Sequence, residues 1–142
     1  MQLKFKRLGD HTQPLPSYGS AGAAGLDISS NDIVILFHGD RAMVSTGFAV
    51  EVPVGYELQV RSRSGLAANH GLHVLNSPGT IDCDYRGEIK VILQNAGLEH
   101  HVNVGDRIAQ LILAPVLMVE PIEVESLSDT TRGENGFGST GR

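Results

Sequence analysis

The sequence predicts a single-domain all-β protein, a sandwich or barrel, with a flexible glycine-rich tail at its C-terminal end. Three observations carry this reading. Apolar residues recur with period two, turn signals punctuate the chain at short intervals, and helix-favouring blocks are nearly absent. The 142 residues are enough to bury one core and too few for two ordinary domains. The 17 glycines exceed ordinary usage and suit a chain made of turns.

Taken in order, the clearest strand is "GYELQVRS", where Tyr56, Leu58 and Val60 point one way and Glu57, Gln59 and Arg61 the other. "EIKVILQN" repeats the pattern, with Ile89, Val91 and Leu93 set against Lys90 and Ile92. "DRIAQLILAPVLMVEPIEVESL" is a long aliphatic stretch interrupted by Pro115 and Pro121. Proline cannot donate to a ladder, so these two mark strand ends or a change of partner. Turns are expected at "HGD", "VPVG", "SPG", "DYRGE" and "NVGD", and one short helical turn around "GLAANHG", residues 65–71. Residues 1–127 read as the β-domain and 128–142 as a mobile segment.

With 16 acidic against 11 basic residues the net charge is −5. That excludes a nucleic-acid binder, which needs a basic face for phosphates, but not a small polyanion held by a few arginines. The single cysteine, Cys83, excludes an internal disulfide and a cysteine-only zinc site. No apolar run is long enough to span a membrane and "MQLKFKRLGD" lacks a signal-peptide core. The expectation is a soluble, cytoplasmic protein with no membrane partner.

Chemistry concentrates in a few stretches. In "NSPGTIDCDYRGE" (76–88) Asp82 and Asp84 share a face with Cys83 turned inward, and the bulky Tyr85 follows. Two such carboxylates suit a metal ion or a general base; a solvated turn is the plainer alternative. "RSRSGLA" (61–67) places Arg63 before Ser64 and Gly65, whose amides and hydroxyl make an anion seat if a helical turn begins there. "AAGLDIS" offers Asp27, and "GDRIAQLIL" offers Arg107 and Gln110. The tail holds Gly136-x-Gly138-x-x-Gly141, which matches a dinucleotide fingerprint only by letter, since no helix can follow it. What remains is physical. Arg132 can fork onto a terminal phosphate, Phe137 offers a face for a base, and Gly138, Ser139 and Thr140 can wrap phosphates. A solvated linker is the plain alternative. Neither His70-x-x-His73 nor His100-His101 has the spacing of a metal set, and Cys83 suits packing better than nucleophilic attack.

Together and in order these stretches resemble the signature segments of the trimeric dUTPase family, the dUTP diphosphatases. They are "AGLDIS" from Ala24, "RSGLA" from Arg63, "GTIDCDYRGEI" from Gly79, "GDRIAQLI" from Gly105 and "RGENGFGSTG" from Arg132. The likeness runs from about residue 12 to the end. Where the family often has proline before "RSGLA", this chain has Ser62, an exchange expected to loosen the strand end.

The resemblance implies a jelly-roll-like β-barrel and hydrolysis of dUTP to dUMP and pyrophosphate. That reaction keeps uracil out of DNA and supplies dUMP for dTMP synthesis. Asp82 would be the base that deprotonates the attacking water. Asn76, with the backbone of Gly79, Thr80, Ile81 and Asp82, would read uracil, and Tyr85 would pack beneath the deoxyribose. Arg63, Ser64 and Gly65 would hold phosphate oxygens, and Lys90 would reach the nucleotide. Asp27 and Gln110 would act through waters on a Mg²⁺ carried mainly by the triphosphate. Arg132 would clamp the γ-phosphate, Phe137 stack on uracil, and Gly138, Ser139 and Thr140 wrap the phosphates as a lid. The family implies a homotrimer with active sites at subunit interfaces. A dCTP deaminase, a non-catalytic nucleotide binder and a ligand-free structural subunit are the rival readings. Asp82 and the intact tail weigh against the first two, and five polar segments in order weigh against the third.

Overall fold

The computed structural model describes residues 1–136. Their elements are β1 (Lys4–Arg7), β2 (Ser17–Tyr18), β3 (Leu26–Ser29), β4 (Val34–Leu36), β5 (Arg41–Glu51), β6 (Tyr56–Arg61), α1 (Ser64–His70), β7 (Leu72–Val74), β8 (Gly79–Ile81), β9 (Glu88–Asn95), β10 (His100–Val102) and β11 (Arg107–Pro115). Every ladder is antiparallel. A four-stranded sheet (β1-β5-β9-β7) packs against a five-stranded one (β2-β3-β11-β6-β8), and β10 and β4 form a short ribbon. This is a jelly-roll-like all-β sandwich, as the period-two patterns predict. None of the described helices is long and apolar enough to cross a membrane.

Alternation builds the core. Ile89, Val91 and Leu93 of β9 are at most 1% exposed, while Lys90 stands on the opposite, outer face. β6 sends Leu58 and Val60 inward. On its outer face Gln59 Nε2 donates to Glu57 Oε1 (2.6 Å) and Arg61 Nε donates to Gln59 Oε1 (2.9 Å). Ile28 and Leu111 of one sheet join Val44, Val91 and Leu93 of the other in a single cluster. Burial of each such side chain contributes roughly 2 kcal/mol.

Pro115 ends β11, as a residue without an N–H should. It still pairs with Tyr56 of β6, but the ladder to β3 has already stopped at Leu111. From there residues 116–136 carry neither helix nor strand, and Leu117, Met118 and Val119 are 90%, 89% and 81% exposed. α1 is longer than the single turn expected. It closes on Gly71, whose φ of 69° lets its N–H return to Ala67 O. A side chain at Gly71 would also strike the backbone of Gly97, so the position serves both the cap and a close approach.

Several connections pass between the sheets, and two of them matter most here. β6 leads through α1 to β7, and β8 leads through residues 82–87 to β9. These crossings are the "RSGLA" and "TIDCDYRGE" stretches.

Asn95 locks the end of β9. It is fully buried; its Nδ2 donates to Leu36 O (2.8 Å) and Leu98 O (2.6 Å), and its Oδ1 accepts from Gly97 N (2.9 Å). Replacing it by alanine strands three backbone groups. Asn95→Ala is expected to lower unfolding stability by about 3 kcal/mol in urea titrations. A loss under about 1 kcal/mol would mean that water replaces the amide.

Candidate active site

The first cluster lies along β8, the outer strand of the five-stranded sheet. An edge strand leaves a row of backbone N–H and C=O groups without strand partners. Gly79, Thr80 and Ile81 pair with Val60, Gln59 and Leu58 on one side only. Asn76 folds back on this strand: a Cβ at Gly79 would stand 3.1 Å from Asn76 Nδ2 and 3.4 Å from Val60 Cβ. Glycine is therefore what lets the amide lie so close. The Ser77–Pro78 peptide between them is cis.

Asp82 follows directly. Its side chain is exposed, as is that of Asp84, while Cys83 packs against the core, as read from the sequence. Tyr85 N–H donates to Asp82 O (3.2 Å), and Arg86 Nη1 donates to Cys83 O (2.7 Å) and Tyr85 O (2.8 Å). The Tyr85 hydroxyl donates to Glu88 O (3.0 Å). The Asp82 carboxylate has no hydrogen-bond partner among the described residues, and none of these competes for its lone pairs. Thr80, Ile81, Asp82, Tyr85 and Lys90 line one concavity of about 250 Å³ between the β8 edge and the outer face of β5 and β9. Five of the expected residues thus gather here, with Asn76 beside them on the same strand edge.

A second cluster surrounds the start of α1. Asp27 on β3 lies opposite Gln110 on β11, which lies opposite Arg61 at the end of β6. Arg63 Nε donates to Asp27 Oδ1 (3.1 Å) and Arg107 Nη1 to Asp27 Oδ2 (2.9 Å). Arg63 Nη1 also donates to Arg107 O (2.9 Å). Ser64 and Gly65 open the helix beside this arrangement and are exposed. Gln110 Nε2 donates to Ser62 O (2.9 Å), and its side chain packs so tightly on Gly25 that a Cβ there would stand 2.7 Å from Oε1.

The structure adds a feature at Asp27 and alters the expectation for Ser62. Both Asp27 oxygens hold guanidinium groups, which the sequence did not announce, because two arginines flank the carboxylate in a half-buried position. Ser62 does not loosen the strand end: its hydroxyl accepts Val74 N–H (2.9 Å), a bond that ties β6 to β7 and that proline lacks the oxygen to make. Arg107 is the residue that sequence reasoning left without a role. It is visible in "GDRIAQ", but only the pairing of β11 with β3 brings it to Asp27.

The two clusters do not meet within one chain. Ile81 sits opposite Leu58 and Gln110 opposite Arg61, three residues apart on β6. Asp27 and Asp82 are also separated by the breadth of four strands. At about 3.3 Å per residue and about 4.8 Å per strand, the two offsets combined place them roughly 20 Å apart. Arg132 is exposed on the segment after β11, its Nε donating to Asn135 O (2.8 Å). Phe137, Gly138, Ser139 and Thr140 lie outside the described residues.

The histidines assort in a way their spacing does not suggest. His70 of α1 meets His100 of β10, ring centroids 4.9 Å apart. Burial, and then the neighbouring His70, hold His100 below the usual histidine pKa. Among the described residues no three His, Cys, Asp or Glu side chains converge on a metal position.

A carboxylate without a partner among the described residues, at an open strand edge, and a pair of guanidinium groups on a β-sandwich suit a protein that acts on a small polyanion. The comparisons make it particular. The dUTPase family model matches residues 11–141. A deoxyuridine 5'-triphosphate nucleotidohydrolase of Zymomonas mobilis subsp. mobilis is 56% identical over 143 residues, which are 99% of this chain and 98% of that one. The solved dUTPase of Staphylococcus bacteriophage 80alpha with dUPNHPP is 29% identical at a TM-score of 0.86, covering 99% of each chain. A mutant dUTPase from phage phi11 of S. aureus, whose structure reveals the coordination of a structural Mg(II) ion, shares the fold at 24% identity and a TM-score of 0.83, over 91% of this chain and all of that one. The chain belongs to the dUTPase family, whose enzymes are dUTP diphosphatases.

Asp27 supplies the only carboxylate to two arginines that would otherwise repel. Asp27→Ala is expected to cost about 1 kcal/mol of unfolding stability, discounted for partial exposure. The loss should shrink in high salt, where the arginine repulsion is screened; a salt-independent loss would assign it to packing.

Proposed function

We propose that the chain hydrolyses dUTP to dUMP and pyrophosphate, with Asp82 as the base. The observation that carries this reading is the unpartnered Asp82 carboxylate at the end of an open strand edge, with Tyr85 and Lys90 in the same concavity. The open groups of Gly79, Thr80, Ile81 and Asp82, with the Asn76 amide, present donors and acceptors to the uracil edge. Cytosine exchanges that pattern and leaves polar groups unsatisfied. Tyr85 lies beneath the deoxyribose and leaves no space for a 2′-hydroxyl.

Water attacks the α-phosphorus in line and gives its proton to Asp82. The bond from the α-phosphorus to the bridging oxygen breaks, and pyrophosphate leaves with the electron pair. Aspartate is a weak base at neutral pH, so most of the acceleration comes from positioning and charge stabilisation. Arg63, Ser64 and Gly65 receive phosphate oxygens, and Lys90 approaches the nucleotide. Arg132 clamps the γ-phosphate, and Phe137, Gly138, Ser139 and Thr140 close over the base and phosphates. Residues 128–142 act as the lid on a domain formed by 1–127.

The donor set fits a magnesium ion that arrives on the triphosphate rather than a resident one. Asp27 is shared by two arginines, and Gln110 offers only a neutral amide. These two meet the ion through waters, and when bound it offsets charge on the leaving pyrophosphate.

The site is shared between copies in a homotrimer. Support comes from the separation of the two clusters on one chain and from the apolar, exposed segment after Pro115. The enzyme works in the cytoplasm, removing dUTP before it enters DNA and supplying dUMP for dTMP synthesis.

Pyrophosphate release with Mg²⁺ is expected from dUTP and not from dCTP, dTTP or UTP; turnover of dCTP or UTP at a similar rate would sink the base or sugar assignment. Asp82→Asn is expected to bind dUPNHPP normally and lose at least about 10²-fold in kcat, and an active variant removes Asp82 as base. Mixing inactive Asp82→Asn with inactive Arg63→Ala protein, after exchange of subunits, should restore turnover, because some sites then combine two intact clusters. No recovery, despite exchange shown by mass, would place the whole site within one chain. Truncation before Arg132 should abolish turnover and leave the unfolding transition unchanged; full activity would make the tail a linker.

A further inference from the structure

β5 and β9 pair regularly up to Ser45 and Lys90, then the register jumps to Ala49 and Glu88. Three residues of β5 oppose one of β9, a bulge centred on Gly47 with φ 72°. The bulge is held from behind: Gly47 O accepts from Leu8 N–H (2.8 Å) and is hydrogen-bonded to His11 Nε2 (2.8 Å). A Cβ at Gly47 would stand 2.3 Å from His11 Nε2, so only glycine fits. From in front, Gly47 N–H donates to Glu88 Oε1 (2.9 Å) and the Ser45 hydroxyl donates to the same oxygen. Thr46 Oγ1 adds a bond to Ile89 O (2.6 Å). The Glu88 carboxylate therefore anchors the first residue of β9 to the bulge.

That first residue also carries the carbonyl that holds Tyr85. The phenol donates to Glu88 O at 3.0 Å, the one hydrogen bond its side chain makes among the described residues. The ring lies over Gly87, where a Cβ would stand 2.3 Å from the phenol oxygen. Tyr85 is 45% exposed, so packing alone does not fix its ring; the position of the Glu88 backbone does.

We propose that Glu88 is a positioning residue for sugar discrimination, fixing the Tyr85 ring by tying the start of β9 to the Gly47 bulge. The inference rests on the reading of Tyr85 as the residue beneath the deoxyribose. Glu88 acts through Tyr85 and touches no reacting atom. Its other oxygen lies 3.9 Å from Lys90 Nζ, beyond hydrogen-bond reach, so the anchor is the pair of bonds to Ser45 and Gly47 rather than the charge toward Lys90.

The test is the ratio of kcat/KM for dUTP to that for UTP in the full chain with Mg²⁺. Glu88→Ala is expected to lower the ratio by roughly tenfold, mostly through better use of UTP. Glu88→Gln, which can still accept from Gly47 and Ser45, should restore it, and Ser45→Ala should give an intermediate value. A general structural defect would depress both substrates together and leave the ratio alone. Tyr85→Ala separates the two levels: an unchanged ratio there overturns the sugar reading itself. A collapsed ratio in Tyr85→Ala with an unchanged one in Glu88→Ala overturns only the positioning role. A Gln variant as poor as Ala likewise overturns it, by assigning the effect to charge. Thermal unfolding of each variant reports whether it folds; should Glu88→Ala fail, Ser45→Ala alone still decides, an unchanged ratio overturning the proposal.

Discussion

The chain has to cross from the five-stranded sheet to the four-stranded one between Ile81 and Glu88, and the chemistry of the site depends on how that crossing is held. Facing sheets lie about 10 Å apart, whereas six residues extended reach about 20 Å. The slack is taken up inside the loop. Tyr85 N–H returns to Asp82 O, Arg86 gathers the carbonyls of Cys83 and Tyr85, and the tyrosine hydroxyl reaches forward to Glu88. Cys83 anchors the inner side against the core. With the backbone's needs met internally, the Asp82 side chain is left exposed and without a partner among the described residues, where on the proposed reading a water molecule uses it.

The second crossing solves a problem of charge. Arg63 and Arg107 stand together where, on the proposed reading, a polyanion is received, although the protein as a whole carries −5. Two guanidiniums side by side repel in the absence of a ligand. Asp27 offsets that repulsion by accepting from both, and the half-buried setting makes each charge-assisted bond stronger than a surface pair. A triphosphate brings negative charge to the same arginines, so a carboxylate that stabilises the empty site also competes with the ligand. On the proposed reading that competition eases the exit of pyrophosphate once the bond is cut.

Most of the sandwich could be read from the sequence because its signal is local. Leu58 and Val60, or Ile89, Val91 and Leu93, declare one buried face by alternation alone, and Pro115 stops a strand by lacking a donor. The members of the β8 cluster were equally legible, being close in sequence. What escaped is long-range. Asp27 and Arg107 are 80 residues apart, and no spacing rule joins them; strand register does. The same holds for Ser62 and Val74 across the sheets, for His70 against His100, and for the bulge that puts Glu88 beside Gly47. A hydroxyl or carboxylate in a sequence says what bond it can make, and only the topology says to whom.

The open edge of β8 gives the last constraint. An unpaired strand edge invites another chain and is ordinarily blunted or covered, and here it is only three residues long. If the backbone of Gly79 to Asp82 is to read a base, its groups must remain free until the nucleotide arrives, so no strand of the same chain can cover them. The arginine cluster cannot come to them either, because strands β6, β11 and β3 hold it at the far end of the sheet. Burying Leu117, Met118 and Val119 against a neighbouring copy would remove apolar surface that one chain leaves in water, and in the proposed trimer the same association would supply a β8 edge with the arginines of another subunit. On that proposal, stability of the assembly and completion of the site become one requirement, met by a sandwich that keeps its β8 edge open and its last segment outside its own core.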